Sequence, residues 1–528
     1  MRKLMWLIVL ALSGPWAAAQ DAAVMRAAQY LSGAASEEEI PEEWIELVEN
    51  SQRVRINGKG LRPGLLSDYQ IASLADYRAS HGDILSLEEL SLVDGFPAVA
   101  VEALKPFLDL SSASLPGSRD TVRVHGMLLL RGTLTSFGIK AKVQGNGWRA
   151  GAAWRGKEYS FYGEYGGRWG RVLAGDLQFR FGQGLATWTG FSMSSLSTVD
   201  AFVLRPTGIT PSWSFTPSGN RGLAYEYSSR HFRASAFGTL GLSFGTRADY
   251  LWRSGNMGAT VMWQKTGGLS LSVDGHHNCR GADAAWEVAF RGGSFAGKAA
   301  LRLPLGESFR LAFQARALPK SFTGKKYGEY ALALGGAFRS GGGKPRHQAS
   351  LTVDAALVPI PLQQPGRLQV RAYGQWQWQV APDWALEARL TERYRNYERP
   401  RTALRADLRF SRGPWLGTLR TEGVYCEKGG ILGYLEGGYK GERAAGYFRF
   451  TCFGIPQWND RIYCYERDAP GSFSVPAYSG EGFAFSLVGN WKHRFRWLAL
   501  KIYGRGACMI RKEKTTSWTL NLQLQVEL

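Results

Sequence analysis

The chain has 528 residues, of which 64 are Lys or Arg and 44 are Asp or Glu, so its formal net charge is +20. A mean hydropathy of −0.22 and the lack of a second long apolar run fit a barrel better than a helical membrane protein. The abundance of Gly (65), Tyr (22), Trp (19) and Phe (26) favours a β-barrel, and the length suits a small domain followed by a large barrel.

Residues 1–19 have the pattern of a secretory signal peptide. Arg2 and Lys3 supply the positive start, Leu4–Leu12 the apolar run and Ala17–Ala19 a cleavage site of small residues. The apolar run is too short to span a bilayer as a helix. An exported chain with a barrel-like body is expected in the outer membrane of a bacterium with two membranes, without a lipoprotein anchor because no Cys follows the cleavage site.

Residues 20–110 are predicted to form a small all-α domain in the periplasm, because from residue 36 the apolar positions recur with the 3.6-residue period of helices. Four helices are expected. Three capping-box pairs mark helix starts, at Ser36 with Glu39, Ser67 with Gln70 and Ser86 with Glu89. Gly82 is expected to end the second helix, and Pro97 to lie in the first turn of the fourth.

This domain resembles the tandem helix-hairpin-helix domains of the ComEA competence type. The matching segments are Leu61–Gly64, Ile71–Arg78, His81-Gly82, Leu85–Leu90, Val93–Phe96 and Leu104–Phe107. The resemblance implies two hairpin turns that bind DNA phosphates through backbone N–H groups. On this chain it designates Gly64, Leu66 and Gly95 as candidate DNA-binding residues.

Two physical properties of the domain disfavour DNA as its partner. The second glycine of each hairpin turn is replaced, by Leu66 and by Pro97, and proline has no N–H to donate. Residues 21–110 also hold 7 Lys or Arg and 16 Asp or Glu, a net charge of −9, whereas phosphate binding needs cations. A docking or spacer module is therefore the first interpretation, and DNA binding the alternative.

After a linker over residues 111–118, residues 119–528 alternate apolar and polar side chains with the period of β-strands. In the hairpin Arg367–Tyr394, charged and aliphatic residues occupy opposite faces, and Trp376, Trp378 and Trp384 cluster as in an interfacial girdle. The last segment, Trp518–Leu528, is predicted to close the barrel against the first strand. Allowing about 20 residues for a strand and its turn predicts an antiparallel membrane β-barrel of roughly 20 strands.

Three further stretches, with the helical domain, resemble a family of exported helix-hairpin-helix proteins that have barrel bodies. They are Gly175–Leu185 with Arg221-Gly222, Asp460–Tyr463, and Tyr465-Glu466. The resemblance implies this architecture and no particular activity. Between two of these stretches, Pro206–Pro217 is expected to be a long loop that folds into the pore, because of its length and proline content.

No sequence motif indicates catalysis or a cofactor. Asp274–Cys279 contains metal-ligand residue types, but an exposed turn is the preferred interpretation, and Gly341–Lys344 has the pattern of a hairpin turn. The five cysteines lack metal spacing, and only a Cys452–Cys464 disulfide is worth considering. We expect no enzyme, no metal and no cofactor, with a barrel hydrolase as the lesser alternative.

The predicted function is that of an outer-membrane pore, binding or envelope-assembly component with a periplasmic docking module. A DNA-uptake component is the alternative. The expected partners are outer-membrane lipid and a periplasmic or envelope protein. Because the helical domain is acidic and the body is basic, the domain is expected to dock on the body or beneath the pore. The basic residues are assigned to rims that meet anionic lipid, or alternatively to a lumen that attracts anions.

Overall fold

A computed structural model describes most of the chain. The described residues are 17–34, 39–51, 53–58, 61, 64–112, 124–167, 169–189, 196–217, 219–279, 281–323, 328–340, 346–358, 367–472, 474–512 and 516–528. Most of the predicted signal peptide and linker, Ser36 of the first capping box, and Gly341–Lys344 lie outside these residues.

The N-terminal part of the described chain is helical and contains one more α-helix than the four predicted. Its elements are α1 Ala17–Ser32, α2 Glu42–Asn50, α3 Asp68–His81, α4 Leu87–Leu90, α5 Ala98–Leu104 and the 3-10 helix Lys105–Phe107, with the short strands β1 Val54–Arg55 and β2 Leu108–Asp109. The predicted helices correspond to α2–α5. Helix α1 was not predicted, and β1 and β2 form a parallel pair that joins the segment after α2 to the C-terminal end of the domain.

Two predicted helix starts are confirmed by hydrogen bonds. At α3, Ser67 Oγ accepts the backbone N–H of Gln70, and the Gln70 Oε1 accepts the N–H of Ser67 at 2.9 Å, which completes the capping box. At α4, Ser86 Oγ accepts the N–H of Glu89 at 3.0 Å, but the Glu89 carboxylate accepts the N–H of Leu85 instead of that of Ser86. At α4, therefore, only one of the two hydrogen bonds of a capping box is formed, the one from the Glu89 N–H to Ser86 Oγ.

The predicted positions of Gly82 and Pro97 have different outcomes. Gly82 follows α3 with a φ of 89°, a conformation that favours glycine, and ends the helix as predicted. Pro97 was predicted inside the first turn of its helix. It stands instead at the N-cap of α5, because its ψ of 155° is extended and the helix begins at Ala98.

The helical domain has a core of its own. Asn57 is fully buried at its centre, where its side-chain amide donates to the Ile84 carbonyl at 2.8 Å and accepts the Ile84 N–H at 2.9 Å. The largest apolar residues around it are Leu31, Ile40, Trp44, Val48, Ile56, Leu66, Leu74, Leu90, Phe96 and Leu104. Burial of this set makes the domain a folded unit rather than an extended spacer.

The body is a closed antiparallel barrel with 24 strands in its wall, counted over the described residues. Its strands, with the inner strand β8, are β3 His125–Thr133, β4 Phe137–Gly145, β5 Trp148–Arg155, β6 Glu158–Gly167, β7 Gly170–Arg180, β8 Gly208–Pro211, β9 Arg221–Ser228, β10 Phe232–Thr239, β11 Ser243–Trp252, β12 Gly255–Gln264, β13 Gly268–Cys279, β14 Ala282–Arg291, β15 Ser294–Leu305, β16 Phe309–Leu318, β17 Glu329–Arg339, β18 His347–Val358, β19 Arg367–Ala381, β20 Trp384–Arg395, β21 Arg401–Arg412, β22 Trp415–Tyr425, β23 Gly430–Lys440, β24 Ala444–Ile455, β27 Gly480–Arg494, β28 Ala499–Arg511 and β29 Thr516–Glu527. The short elements outside the wall are β25 Ile462–Tyr463, β26 Ala477–Tyr478, α6 Lys320–Thr323 and the 3-10 helices Val199–Phe202 and Trp458–Asp460. The prediction of roughly 20 strands was too low, because many connections are turns of two or three residues.

The closing strand behaves as predicted. Strand β29 pairs antiparallel with β3, with Leu522 opposite Gly132 and Val526 opposite Leu128, so the sheet has no free edge at this junction. Trp518 and Leu522 are exposed on the outside, whereas Gln523 is buried inside. The same alternation recurs around the wall, so the exterior is apolar and the interior is polar and charged.

The two rims of the barrel differ. We call the rim where β3 begins and β29 ends the terminal rim, and the opposite one the distal rim. Connections at the terminal rim are mostly tight turns, such as residues 382–383, whereas the distal rim carries long connections, including residues 181–220 and 456–479. Aromatic pairs stand outside at both rims, with Trp376–Trp378 (ring centroids 5.9 Å apart) at the terminal rim and Phe244–Trp263 (6.4 Å) at the distal one.

Candidate functional site

The lumen wall is built from arginines that are neutralised by carboxylates. Arg247 donates to both oxygens of Asp274, at 2.6 and 2.9 Å, and is also paired with Asp249. Arg420 pairs with Asp407 at 2.7 Å. These residues are buried, and a buried charge is stable only when it is paired and hydrogen-bonded. The alternation that sends aliphatic residues outward therefore builds a strongly polar interior.

The acidic helical domain is docked inside this basic wall. On one side, Asp68 pairs with Arg233 of β10, and Asp76 pairs with Arg230 at 2.7 Å in the turn before β10. On the other side, Arg389 of β20 donates to the Glu39 carboxylate at 2.7 Å. Strands β10 and β20 stand on nearly opposite sides of the closed sheet. The domain therefore crosses the lumen at the terminal rim.

Helix α3 makes the most extensive contact with the wall. It packs on β11, β12 and β13, and Ser73 Oγ donates to the backbone carbonyl of Arg253. Arg253 also pairs with Asp94 at 3.0 Å. The ring of Tyr69 meets that of His276 edge-on, with centroids 4.7 Å apart. Burial, followed by the proximity of Tyr30, raises the pKa of Tyr69 to about 12, so this hydroxyl stays protonated in the contact.

The described parts of the connection from β7 to β9, residues 181–189, 196–217 and 219–220, fold back into the lumen, and we call them the first inner loop. Glu287 of β14 holds its beginning, because the carboxylate accepts the backbone N–H groups of Gln183 at 2.7 Å and Ala186 at 3.0 Å. Trp213 and Phe215 are buried against the inner wall. The prediction that Pro206–Pro217 folds into the pore is confirmed.

The first inner loop and the helical domain meet inside the barrel. Thr198 Oγ donates to the Gly33 carbonyl at 2.6 Å at the end of α1. The Arg205 guanidinium lies over the Tyr30 ring, 4.0 Å from its centroid, and the Arg180 guanidinium lies 4.9 Å from the centroid of Trp44. The loop therefore covers the inner side of the docked domain.

Asp200 fixes the same loop to the wall. Its carboxylate accepts hydrogen bonds from Arg302 at 2.6 Å and from Arg310 at 2.9 Å. Burial alone would raise the pKa of Asp200, but Arg310 and Arg302 outweigh burial and hold the pKa below its usual value. The contact is an ion pair at neutral pH.

A second inner loop, described over residues 456–472 and 474–479, enters the lumen from the distal rim. The Asp460 carboxylate accepts four backbone N–H groups, from Cys426, Glu427, Lys428 and Gly429, at 2.7 to 3.1 Å. Deeper in the lumen, Glu466 pairs with Arg505 of β28 and accepts the Tyr478 hydroxyl. Arg131 of β3 donates to the carbonyls of Pro470 and Gly471 at 2.7 and 2.6 Å. The helical domain and the two inner loops thus all occupy the lumen.

The structure places the three candidate DNA-binding residues within the folded domain. Gly64 donates its N–H to the Leu66 carbonyl at 3.1 Å, and the Leu66 side chain lies in the domain core. The Gly95 carbonyl accepts a hydrogen bond from Gln70 at 2.6 Å, and a Cβ at Gly95 would lie 2.4 Å from the Tyr69 ring. Asp94, beside it, faces Arg253 of the wall. The DNA-binding assignment stays a prediction.

The Asp274–Cys279 segment is part of β13, so its interpretation as an exposed turn was wrong. Alternation along the strand turns Asp274 and His276 inward, whereas His277 and Cys279 are exposed on the other face. Within the described chain, no group of three or more His, Cys, Asp or Glu side chains could hold a metal ion. Cys452 and Cys464 are free thiols rather than a disulfide.

The docking arginines could not be identified by sequence reasoning. Arg230, Arg233 and Arg253 lie near turns and carry no local motif, and only the opposite charges of the two parts indicated that they would meet. None of the helices that the structure describes is long and apolar enough to cross a membrane.

Known proteins resemble this chain in fold. No protein-family model matches it, and neither does any curated protein. Among solved structures, it is similar to the P pilus usher PapC translocation pore, with 9% identity over 77% of this chain and 98% of that one and a TM-score of 0.34. It is also similar to OprD of Pseudomonas aeruginosa, with 9% identity over 78% of this chain and 97% of that one and a TM-score of 0.32. The ferric-catecholate import receptor Fiu of E. coli K12 has 10% identity over 78% of this chain and 82% of its own, with a TM-score of 0.31. At these values the likeness concerns the barrel fold alone.

Proposed function

We propose that this protein is an integral outer-membrane barrel that acts as a pore or transport component, and that its N-terminal helical domain is a plug docked in the lumen. The apolar exterior with aromatic pairs at both rims suits a bilayer with two interfaces. The tight turns of the terminal rim suit the periplasmic side, so the helical domain enters the barrel from the periplasm.

The observation that carries the proposal is the set of ion pairs between the domain and the wall. Asp68, Asp76 and Asp94 bind arginines on one side of the barrel, while Glu39 binds Arg389 on the other. Two of these pairs, Asp76–Arg230 and Asp94–Arg253, are partly exposed, so solvent weakens them. Such a contact can be released without unfolding either part, as a gate requires.

The test is the conductance of the full chain in planar lipid bilayers. The variant Asp68→Asn, Asp76→Asn, Asp94→Asn removes three docking charges, and we expect it to open long-lived channels more often than the wild type does. Glu102→Gln is the matched control, because Glu102 pairs with Lys105 inside the same domain, at 2.8 Å.

The outcomes distinguish the predicted functions. Higher conductance of the triple variant, with the control unchanged, supports a gated pore. Equal and low conductance of all three proteins contradicts the plug and supports a filled scaffold that binds a periplasmic or envelope partner. An open channel that duplex DNA blocks from the periplasmic side supports the DNA-uptake alternative.

A further inference from the structure

Strand β7 leaves the barrel wall halfway along its length. Its residues 170–175 pair with β6 and residues 171–176 with β9, but Leu177–Arg180 turn inward and pair with β8 of the first inner loop. Gly175 stands at the point of departure with a φ of 107°. A Cβ at Gly175 would lie 2.2 Å from the Phe161 carbonyl oxygen, so the departure requires glycine.

The departure leaves the distal part of β6 without a strand neighbour on that side, in the portion of the chain that the structure describes. Two side chains take the place of the missing strand. Asp176 Oδ2 accepts the Phe161 N–H at 2.9 Å, and Arg221 Nη2 donates to the Tyr159 carbonyl at 2.9 Å. Asp176 and Arg221 also pair with each other at 3.1 Å. We call these two residues the latch.

The latch is a weaker closure than a strand ladder. The junctions of β7 with β6 and with β9 have six residue pairs each, whereas the junction of β27 with β28 has thirteen. Opening the wall at the latch breaks these two backbone contacts, the ion pair and the hydrogen bond from Ser160 Oγ to the Ser214 carbonyl behind them, at 2.6 Å, and leaves those ladders intact. The wall can therefore open here without loss of the barrel.

The outer surface beside the latch is aromatic. The Arg221 guanidinium lies over the rings of Tyr159 and Phe161, 4.5 and 4.8 Å from their centroids. Both rings and Leu223 are exposed on the exterior. A membrane component would meet this surface in the distal half of the wall.

The inner surface behind the latch is apolar, unlike most of the lumen. Trp213 and Phe215 of the first inner loop pack there with Tyr162 and Leu129 of the wall. Cationic side chains border this cluster, with Lys140 Nζ 4.7 Å from the centroid of the Phe215 ring. The Arg131 and Arg155 guanidinium groups also lie over this ring. The cluster, which is buried in the closed barrel, thus combines aromatic rings that suit an acyl chain with cationic side chains that suit an anionic head.

We propose that the gap beside the distal part of β6, where β7 has left the wall, is a lateral portal through which an amphipathic anion with an acyl chain passes between the membrane and the lumen. The latch closes the portal, and the Trp213–Phe215 cluster receives the chain. The portal does not depend on the docking of the helical domain. It lies on the distal half of the wall and uses none of the docking residues.

Photolabelling of the reconstituted full chain tests the portal. Vesicles carry either a fatty acid or a phospholipid with a diazirine in its acyl chain, and labelled peptides are identified by mass spectrometry. In the wild type we expect labelling on the peptide that contains Trp213. In Arg221→Gln this labelling should rise about five-fold, the factor that corresponds to one hydrogen bond of about 1 kcal/mol. Labelling by the fatty acid alone identifies a free acid as the ligand, and labelling by both probes identifies a membrane lipid.

Two further variants keep the test sharp. Asp354→Asn breaks another wall ion pair, with Arg316 at 2.9 Å, and should leave labelling of the Trp213 peptide unchanged. Phe215→Ala removes part of the receiving surface and should lower it while the exterior Tyr159 peptide stays labelled. Folding of each variant is checked by its resistance to protease. The portal is refuted if both probes label the Tyr159 peptide but leave the Trp213 peptide unlabelled in the wild type and in Arg221→Gln.

Discussion

Asp68 of the helical domain and Arg233 of strand β10 form an ion pair in which both side chains are almost entirely buried. The burial distinguishes it from the more exposed pairs of Asp76 and Asp94. A buried ion pair contributes little more to stability than two apolar residues of similar size would. Removal of one partner, however, leaves the other charge buried and unpaired, which is costly. Loss of one partner of this pair should therefore weaken docking more than loss of an exposed partner does.

Arg233→Met should release the helical domain. The unpaired Asp68 would cost about 3 kcal/mol in the docked state, which the domain avoids by leaving the wall. The measurement is the rate of trypsin cleavage at Arg55 in the domain, which should rise. The double variant Asp68→Leu, Arg233→Met buries no charge and should dock again, so continued rapid cleavage of the double variant would show that the pair is not what holds the domain.

A pore opened by the docking variant should prefer anions. Arg371, Arg393 and Arg401 are direct neighbours across β19, β20 and β21. Like charges in register repel one another and attract anions. We expect the reversal potential in a KCl gradient to report anion selectivity, and Arg393→Gln to reduce it. Arg412→Gln, at an exposed rim position, is the control, and an equal effect of both variants would assign the selectivity to the rims.

Acid should loosen the turn at residues 426–429. Burial would raise the pKa of Asp460, but the N–H groups of residues 426–429 outweigh burial and lower it. A lowered pKa means that the contribution to stability is present above the ordinary Asp pKa of about 3.9 and is lost as the pH falls through the folded value. The reaction of Cys426 with a thiol reagent that works in acid should therefore accelerate at low pH.

Asp460→Asn and an internal reference complete that experiment. The amide offers one acceptor oxygen to four donors, so this variant should expose Cys426 at every pH. Cys279, an exposed thiol on β13, reports the intrinsic reactivity of the reagent in the same sample. A constant ratio of the two rates across the acid range in the wild type would disprove the role assigned to Asp460.

Gly175→Ala should impair the barrel, because alanine at a φ of 107° is strained by about 1–2 kcal/mol and its Cβ would overlap the Phe161 carbonyl. The measurement is the urea midpoint of unfolding. Gly163→Ala on the neighbouring strand is the control, since a Cβ there meets no heavy atom within 4 Å. Equal midpoints of the two variants would argue against strain at the departure of β7.

The full chain should not bind duplex DNA in about 50 mM salt. The Gly95 carbonyl already accepts a hydrogen bond from Gln70, and the Leu66 side chain is buried in the domain core. Asp94, beside Gly95, is paired with Arg253 of the wall. Fluorescence anisotropy of a labelled duplex is the measurement. Tight binding with a steep dependence on salt would instead make DNA uptake the leading function.

Local patterns in the sequence were sufficient for several elements. The strict alternation of Trp518–Leu528 predicted the closing strand, and the Ser67–Gln70 spacing predicted the start of α3. Both depend on residues within one turn or one strand. Helix α1 was not predicted although Val24, Ala27 and Leu31 have helical spacing and are buried, because it has neither an acidic first turn nor a basic last turn to mark its ends.

Long-range features were not predictable in the same way. The number of strands depends on the lengths of the turns. The departure of β7 from the wall depends on the pairing of Leu177–Arg180 with β8, which is far away in the sequence. The docking partners lie far apart along the chain, as Glu39 and Arg389 show. Opposite net charges predicted that the parts would meet, but only the folded arrangement selects the residues.

The position of the helical domain, held from both β10 and β20, constrains how the protein is made. The domain is translated before any barrel strand, and the wall becomes continuous only when β29, the last strand, joins β3. The domain must therefore fold first and serve as a template around which the strands curl, or enter later through the terminal rim. In the first case its acidic face acts as an internal chaperone that recruits the arginines of β10 before the barrel closes.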